Sequence, residues 1–144
     1  MSFTSKRQVE QDYSSLTGVR VLLVEDTWHI AKALKSELEQ VGMEVSGPAA
    51  TTMAARCLIA EQMPRLAVVD VNLKRELACD LIKELHHQGV SIVVVSGYGV
   101  PPISLEKTAV VLQKPVCRPE LLSALCGVLA QTRRCSDGPT GRGY

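Results

Sequence analysis

The chain has 144 residues, 46% of them hydrophobic, and its 16 Lys and Arg nearly balance 15 Asp and Glu. That is enough for one packed domain with short tails, and the balanced charge excludes an electrostatic binder of nucleic acid or of a membrane surface. No apolar run approaches the roughly 20 residues that span a bilayer, and the polar start MSFTSKRQVEQDYSS lacks the apolar core of a secretory signal, so the expected compartment is cytoplasmic.

Residues 1–17 are polar and aperiodic and read as a flexible lead-in. Residues 19–24 (VRVLLV) form a short apolar strand that ends at acidic residues. Ile30, Leu34, Leu38 and Val41 then recur at helical spacing until Gly42. Met43 and Val45 alternate with polar neighbours in a strand that Gly47-Pro48 is expected to end. Thr51 or Thr52 caps a second helix, with Ala55, Leu58 and Ile59 facing inward and Pro64 as the stop. The cycle repeats with a strand over 66–69, a helix over 77–85, and strands over 91–95 (SIVVV) and 110–112. Pro119 suits the first turn of a last helix whose inner face carries Leu121, Leu122, Leu125, Val128 and Leu129. The expected domain covers 18–132, and the Gly-, Pro- and charge-rich residues 133–144 are expected to be a disordered tail. Five cysteines, odd in number and without a C-x-x-C pair, read as free thiols. Cys57 and Cys126 fall among helical apolar positions, where Cys serves as a small hydrophobe.

Alternating strands and helices, with most strands apolar along their whole length, predict an α/β fold: a doubly wound five-stranded parallel sheet with helices on both faces. In such sheets functional residues lie beyond the carboxyl ends of the strands. There the sequence places Glu25-Asp26, Asp70, Ser96 and Lys114-Pro115. Singly each has an ordinary explanation: a helix cap, a turn hydroxyl, a solvated charge. Together they make a pocket of three carboxylates, a hydroxyl and an ammonium. Three close carboxylates repel unless a cation intervenes, and an all-oxygen set suits Mg²⁺ where phosphate oxygens complete its shell. A lysine balances a phosphoryl group's charge and a serine donates to it, which is what in-line phosphoryl transfer to an Asp nucleophile needs.

The segments VLLVEDTWHIAKAL, LAVVDVNL and VLQKPV, in that order, resemble the first strand with its acidic pair, the phosphoacceptor strand and the lysine-proline turn of the response-regulator receiver family. The resemblance runs from about Val19 to Gln131 and implies the flavodoxin-like receiver fold. It implies that Asp70 is the phosphoacceptor, that Glu25, Asp26 and Asp70 hold Mg²⁺, and that the Asn72 backbone carbonyl completes the shell. It also implies that Ser96 and Lys114 contact the phosphoryl group, and that the bond from Lys114 to Pro115 is cis. The donor would be a histidine kinase or phosphotransfer protein, and the chain would be a signalling switch that catalyses only its own phosphorylation and dephosphorylation.

The sequence departs from the family in two places. Val111 stands where receivers carry Tyr or Phe, so the aromatic switch of the family is missing there; Tyr98 is the nearest aromatic substitute, and its plain reading is a loop aromatic over the core edge. The stretch GYGVPPISLEKTA holds two glycines and two prolines, which predicts a short or disordered fourth helix. VSGYG, with DVNL earlier, is similar to a subgroup paired with HWE-type histidine kinases, although Val95-Ser96 stands where that subgroup has Ala-Thr. Few residues follow Gln131, so the expectation is a stand-alone receiver that acts on an unidentified downstream protein by contact, or as a phosphate sink. Among rivals, a haloacid-dehalogenase phosphatase wants a second Asp where Asn72 stands. A flavodoxin-like cofactor binder lacks its Gly- or Ser-rich phosphate loop here, and a pure scaffold would not need every matched position filled. His29, His86 and His87 fall on helices away from the pocket, and Trp28 is placed either beside the metal or in helix-start packing.

Overall fold

A computed structural model of the chain describes residues 13–73, 76–97 and 110–142. In chain order the elements are β1 (Arg20–Val24), α1 (Trp28–Gln40), β2 (Glu44–Ala49), α2 (Thr52–Glu61), β3 (Leu66–Asp70), β4 (Asn72–Leu73), β5 (Glu76–Leu77), α3 (Cys79–His87), β6 (Ser91–Ser96), β7 (Val110–Gln113) and α4 (Arg118–Arg142). Five strands pair in parallel in the order β2-β1-β3-β6-β7, while β4 and β5 form a separate antiparallel hairpin. This is the doubly wound, flavodoxin-like order that the alternation of elements predicts.

The central strands are buried from end to end, which is why they read as unbroken apolar runs. Successive side chains alternate between the two faces. Val21, Leu23, Val68, Val93 and Val95 pack with Leu34 and Leu38 of α1 and Leu121, Leu122 and Leu125 of α4. Leu22, Val24, Ala67, Val69, Ile92 and Val94 pack with Ala55 of α2 and Leu81, Ile82 and Leu85 of α3. Helix boundaries follow local chemistry: Gly42 ends α1 at φ +89°, and the Thr51 hydroxyl caps α2 by accepting the Ala54 N–H at 3.0 Å.

Four features differ from the sequence expectations. The last residues of the expected lead-in are ordered: Ser14–Leu16 form a 3₁₀ turn, and Leu16 is fully buried in the core beside α4. Strand β2 runs on through Gly47-Pro48 because it is an edge strand, where proline is tolerated, and its register with β1 shifts between Leu22 and Val24. Gly47 adopts φ +110°, and a Cβ there would lie 2.6 Å from the Leu23 carbonyl oxygen, so only glycine fits. The α4 backbone is helical to Arg142, past the expected boundary at 132. Cys57 is exposed, not packed, while Cys126 does lie against the core. The expected fourth helix falls on residues 98–109, outside the described residues.

Candidate functional site

Parallel pairing aligns the carboxyl ends of the strands. Val24 lies opposite Val69, Asp70 opposite Val95 and Ser96 opposite Gln113, so the residues that follow β1, end β3 and β6, and follow β7 meet at one edge. Backbone bonds fix this edge. The Glu25 N–H donates to the Ala49 carbonyl at 2.9 Å, the Val71 N–H to Val95 at 3.1 Å, and the Lys114 N–H to the Ser96 carbonyl at 2.8 Å.

Within this frame one carboxylate oxygen from each of Glu25, Asp26 and Asp70 lies within 4.8 Å of the others. Glu25 and Asp70 are each only 3% exposed, and Asp26 is half-buried. The Lys114 ammonium donates to Asp70 Oδ2 at 3.1 Å and to Glu25 Oε2 at 3.4 Å, and lies 3.2 Å from Glu25 Oε1. The Thr27 N–H also donates to Glu25 Oε2, at 3.2 Å. Glu25 Oε1 is buried and makes no hydrogen bond among the described residues, although the ammonium lies 3.2 Å away as an ion-pair partner.

The electrostatics follow. Burial, then the Asp70 charge, push the Glu25 carboxyl above its ordinary range, and Lys114 and the Thr27 N–H only partly offset them. For Lys114, burial works against the charged form, but the hydrogen bond to Asp70 and the charges of Glu25 and Asp70 together raise it. Among the described residues the Lys114 ammonium pairs with Glu25 and Asp70, and Glu25 Oε1 makes no hydrogen bond. The donor set of three carboxylates, all oxygen, fits a hard divalent cation.

Ser96 is buried at the end of β6 beside this cluster, and Asn72 lies on β4, two residues past Asp70. Pro115 follows Lys114 across a cis peptide bond. Val111 is half-buried against the α2–α3 side of the core. Tyr98 lies outside the described residues. Trp28 opens α1 beside the acidic pair and is 70% exposed, with the Lys32 ammonium 4.9 Å from its ring centre, so it does not pack the helix start. Next to Lys114 a largely apolar groove of about 490 Å³ opens between α1 and the turn before α4, walled by Ile30, Leu34, Val95, Pro115 and Val116. Two contributors escape sequence reasoning: the Thr27 N–H, a backbone group that any residue type could supply, and the β4–β5 hairpin, whose two-residue strands are too short to carry a period.

No protein-family model matches the sequence, and no curated protein does. Solved structures do. A response regulator receiver domain protein from Methanospirillum hungatei superposes with a TM-score of 0.74 at 27% identity, covering 82% of this chain and 98% of that one. The receiver domain of the response regulator PhyR from Erythrobacter litoralis gives 0.72 at 20% identity, covering 81% and 93%. A receiver domain protein from Clostridium thermocellum gives 0.72 at 18% identity, covering 81% and 98%.

Proposed function

We propose that this chain is a receiver domain of the response-regulator family, and that it takes a phosphoryl group onto Asp70 from the phosphohistidine of a histidine kinase or phosphotransfer protein. Glu25, Asp26, Asp70 and the Asn72 backbone carbonyl would hold Mg²⁺. The observation that carries this reading is the Lys114 ammonium lodged between two buried carboxylates, Asp70 at 3.1 Å and Glu25 at 3.2 Å, with Asp26 completing the acidic set.

An Asp70 carboxylate oxygen forms the new bond to phosphorus as the phosphorus–nitrogen bond to the donor imidazole breaks. The electron pair leaves on the imidazole nitrogen. Because such transfer depends on position and charge balance more than on covalent assistance, the fixed groups around Asp70 supply most of the catalysis. Held by Glu25, Asp26, Asp70 and the Asn72 carbonyl, Mg²⁺ would supply charge neutralisation for the phosphoryl oxygens. Lys114, already on Asp70 Oδ2, follows the charge onto a phosphoryl oxygen, and the Ser96 hydroxyl donates to another. Tyr98, Val111 and Pro115 are the candidates to relay a shift of Ser96 toward the phosphoryl group. The groove beside Lys114 gives a protein donor or reader a surface contiguous with the acceptor. The proposed donor class is a histidine kinase of the HWE type, the proposed output is contact with a downstream protein, and the proposed setting is the cytoplasm. Among the described residues no helix is long and apolar enough to cross a membrane.

Intact mass after incubation with acetyl phosphate tests the reading. The wild type should gain one phosphoryl group with Mg²⁺ and none with EDTA, and Asp70→Asn should gain none. An equal adduct on Asp70→Asn would move the acceptor elsewhere. A wild type that takes neither phosphoryl nor beryllofluoride would overturn the proposal.

A further inference from the structure

The β4–β5 hairpin follows Asp70 directly and carries Asn72, so whatever holds the hairpin also places the Asn72 carbonyl. Its base is closed by the Ala78 N–H donating to the Val71 carbonyl at 3.1 Å, and Leu73 is buried on the α2–α3 side. Among the described residues, the side chain that ties down its outer strand is Glu76. The Glu76 carboxylate accepts the Thr52 N–H at 2.8 Å and the Thr52 hydroxyl at 2.9 Å. Thr52 is the first residue of α2, and the Thr51 hydroxyl already holds the Ala54 N–H, so Glu76 satisfies a second of the donors that a helix start leaves without an internal partner. A carboxylate is also favoured there by the helix dipole. Arg56 extends the tie: it donates to the Thr52 hydroxyl at 3.3 Å and forks onto Glu84 of α3 at 2.9 and 2.7 Å.

Register makes this contact consequential. Leu73 pairs with Glu76 and Asn72 with Leu77, so the peptide between Asn72 and Leu73, whose oxygen the proposed metal shell uses, lies across from the latched residue. Two-residue strands are marginal on their own, and a ligand that wanders costs affinity because binding must order it. We infer that Glu76 is a positioning residue of the metal site: by docking β5 on the N-terminus of α2 it holds the Asn72 carbonyl where a divalent cation can use it. The inference rests on the metal reading proposed above.

The test is a titration of the whole chain with Mn²⁺, read by the electron paramagnetic resonance of the free ion and competed with Mg²⁺. Wild type should bind one ion and Asp26→Asn should lose it. Glu76→Ala should bind roughly tenfold more weakly, the low end for outer partners of metal ligands. Glu76→Gln, which still accepts from Thr52, should recover most of that loss. Arg56→Ala, which cuts the tie from α2 to α3 and the bond to the Thr52 hydroxyl but leaves both bonds from Thr52 to Glu76, should bind nearly as wild type does. Should Glu76→Ala fail to fold, Thr52→Val removes one of the two latch bonds and should show a smaller loss. Wild-type affinity in Glu76→Ala (or in Thr52→Val, where that variant stands in), beside a loss in Asp26→Asn, would overturn the positioning role alone. An equal loss in Glu76→Gln would overturn it in favour of a charge effect. No binding by wild type, or no loss in Asp26→Asn, would bring down the metal reading and this inference with it.

Discussion

Glu25 is a carboxylate held where its charge is poorly compensated. It is 3% exposed, faces Asp70, and leaves Oε1 without a hydrogen bond. Burial and the Asp70 charge hold its folded pKa above the ordinary 4.5. Between that value and the raised one, the native state keeps a proton that the unfolded chain has released. Stability therefore falls as pH rises through the window and is unaffected below it. In EDTA, Glu25→Gln should match wild type in urea unfolding near pH 4 and become the more stable protein as pH rises past the window. A difference that stays flat with pH would refute this account of Glu25. Lys114 does not alter the sign: its own pKa is raised, so the stability it contributes is lost only under strongly alkaline conditions.

At the level of elements, the 3₁₀ turn at Ser14–Leu16 behaves as part of the domain. Leu16 is fully buried in the core beside α4, so Leu16→Ala should cost about 2–4 kcal/mol in urea unfolding. A cost below roughly 0.5 kcal/mol, as at surface positions, would show that the turn contributes nothing. One apolar residue in a polar stretch has no period, and that is why sequence reasoning leaves Leu16 in a loose lead-in. The central strands are legible for the opposite reason: burial on both faces makes every position apolar, and Leu66–Asp70 and Ser91–Ser96 stand out at once. The site is legible with them, since polar groups at the ends of aligned strands must converge. Strand β2 is less so. Gly47 and Pro48 read as a stop, yet a register shift and an edge position let the strand continue. The hairpin behind Asp70 is hidden by brevity, and with it the latch from Glu76 to Thr52.

At the scale of the molecule, the strand order gathers three acidic side chains from the ends of two central strands, β1 and β3, at one edge of the sheet, where Lys114, just past the outer strand β7, pairs with Glu25 and Asp70. Three carboxylates this close are a set that a divalent cation would stabilise, and on the proposed metal reading its binding would be linked to global stability. A cation that binds only the native state stabilises it by an amount set by concentration over Kd, about 2.7 kcal/mol at a hundredfold excess. Mg²⁺ should accordingly raise the unfolding midpoint of wild type and leave Asp26→Asn nearly unmoved. Protons compete with metal for the same oxygens, and Glu25 holds its proton to higher pH than an ordinary carboxylate. The Mg²⁺ increment should therefore grow from pH 5 to pH 7.5, while the metal-free protein loses stability over the part of that range where Glu25 ionises. Thermal melts at the two pH values, with Mg²⁺ and with EDTA, separate these opposite slopes. An increment independent of pH would mean that the cation binds elsewhere than on Glu25, Asp26 and Asp70.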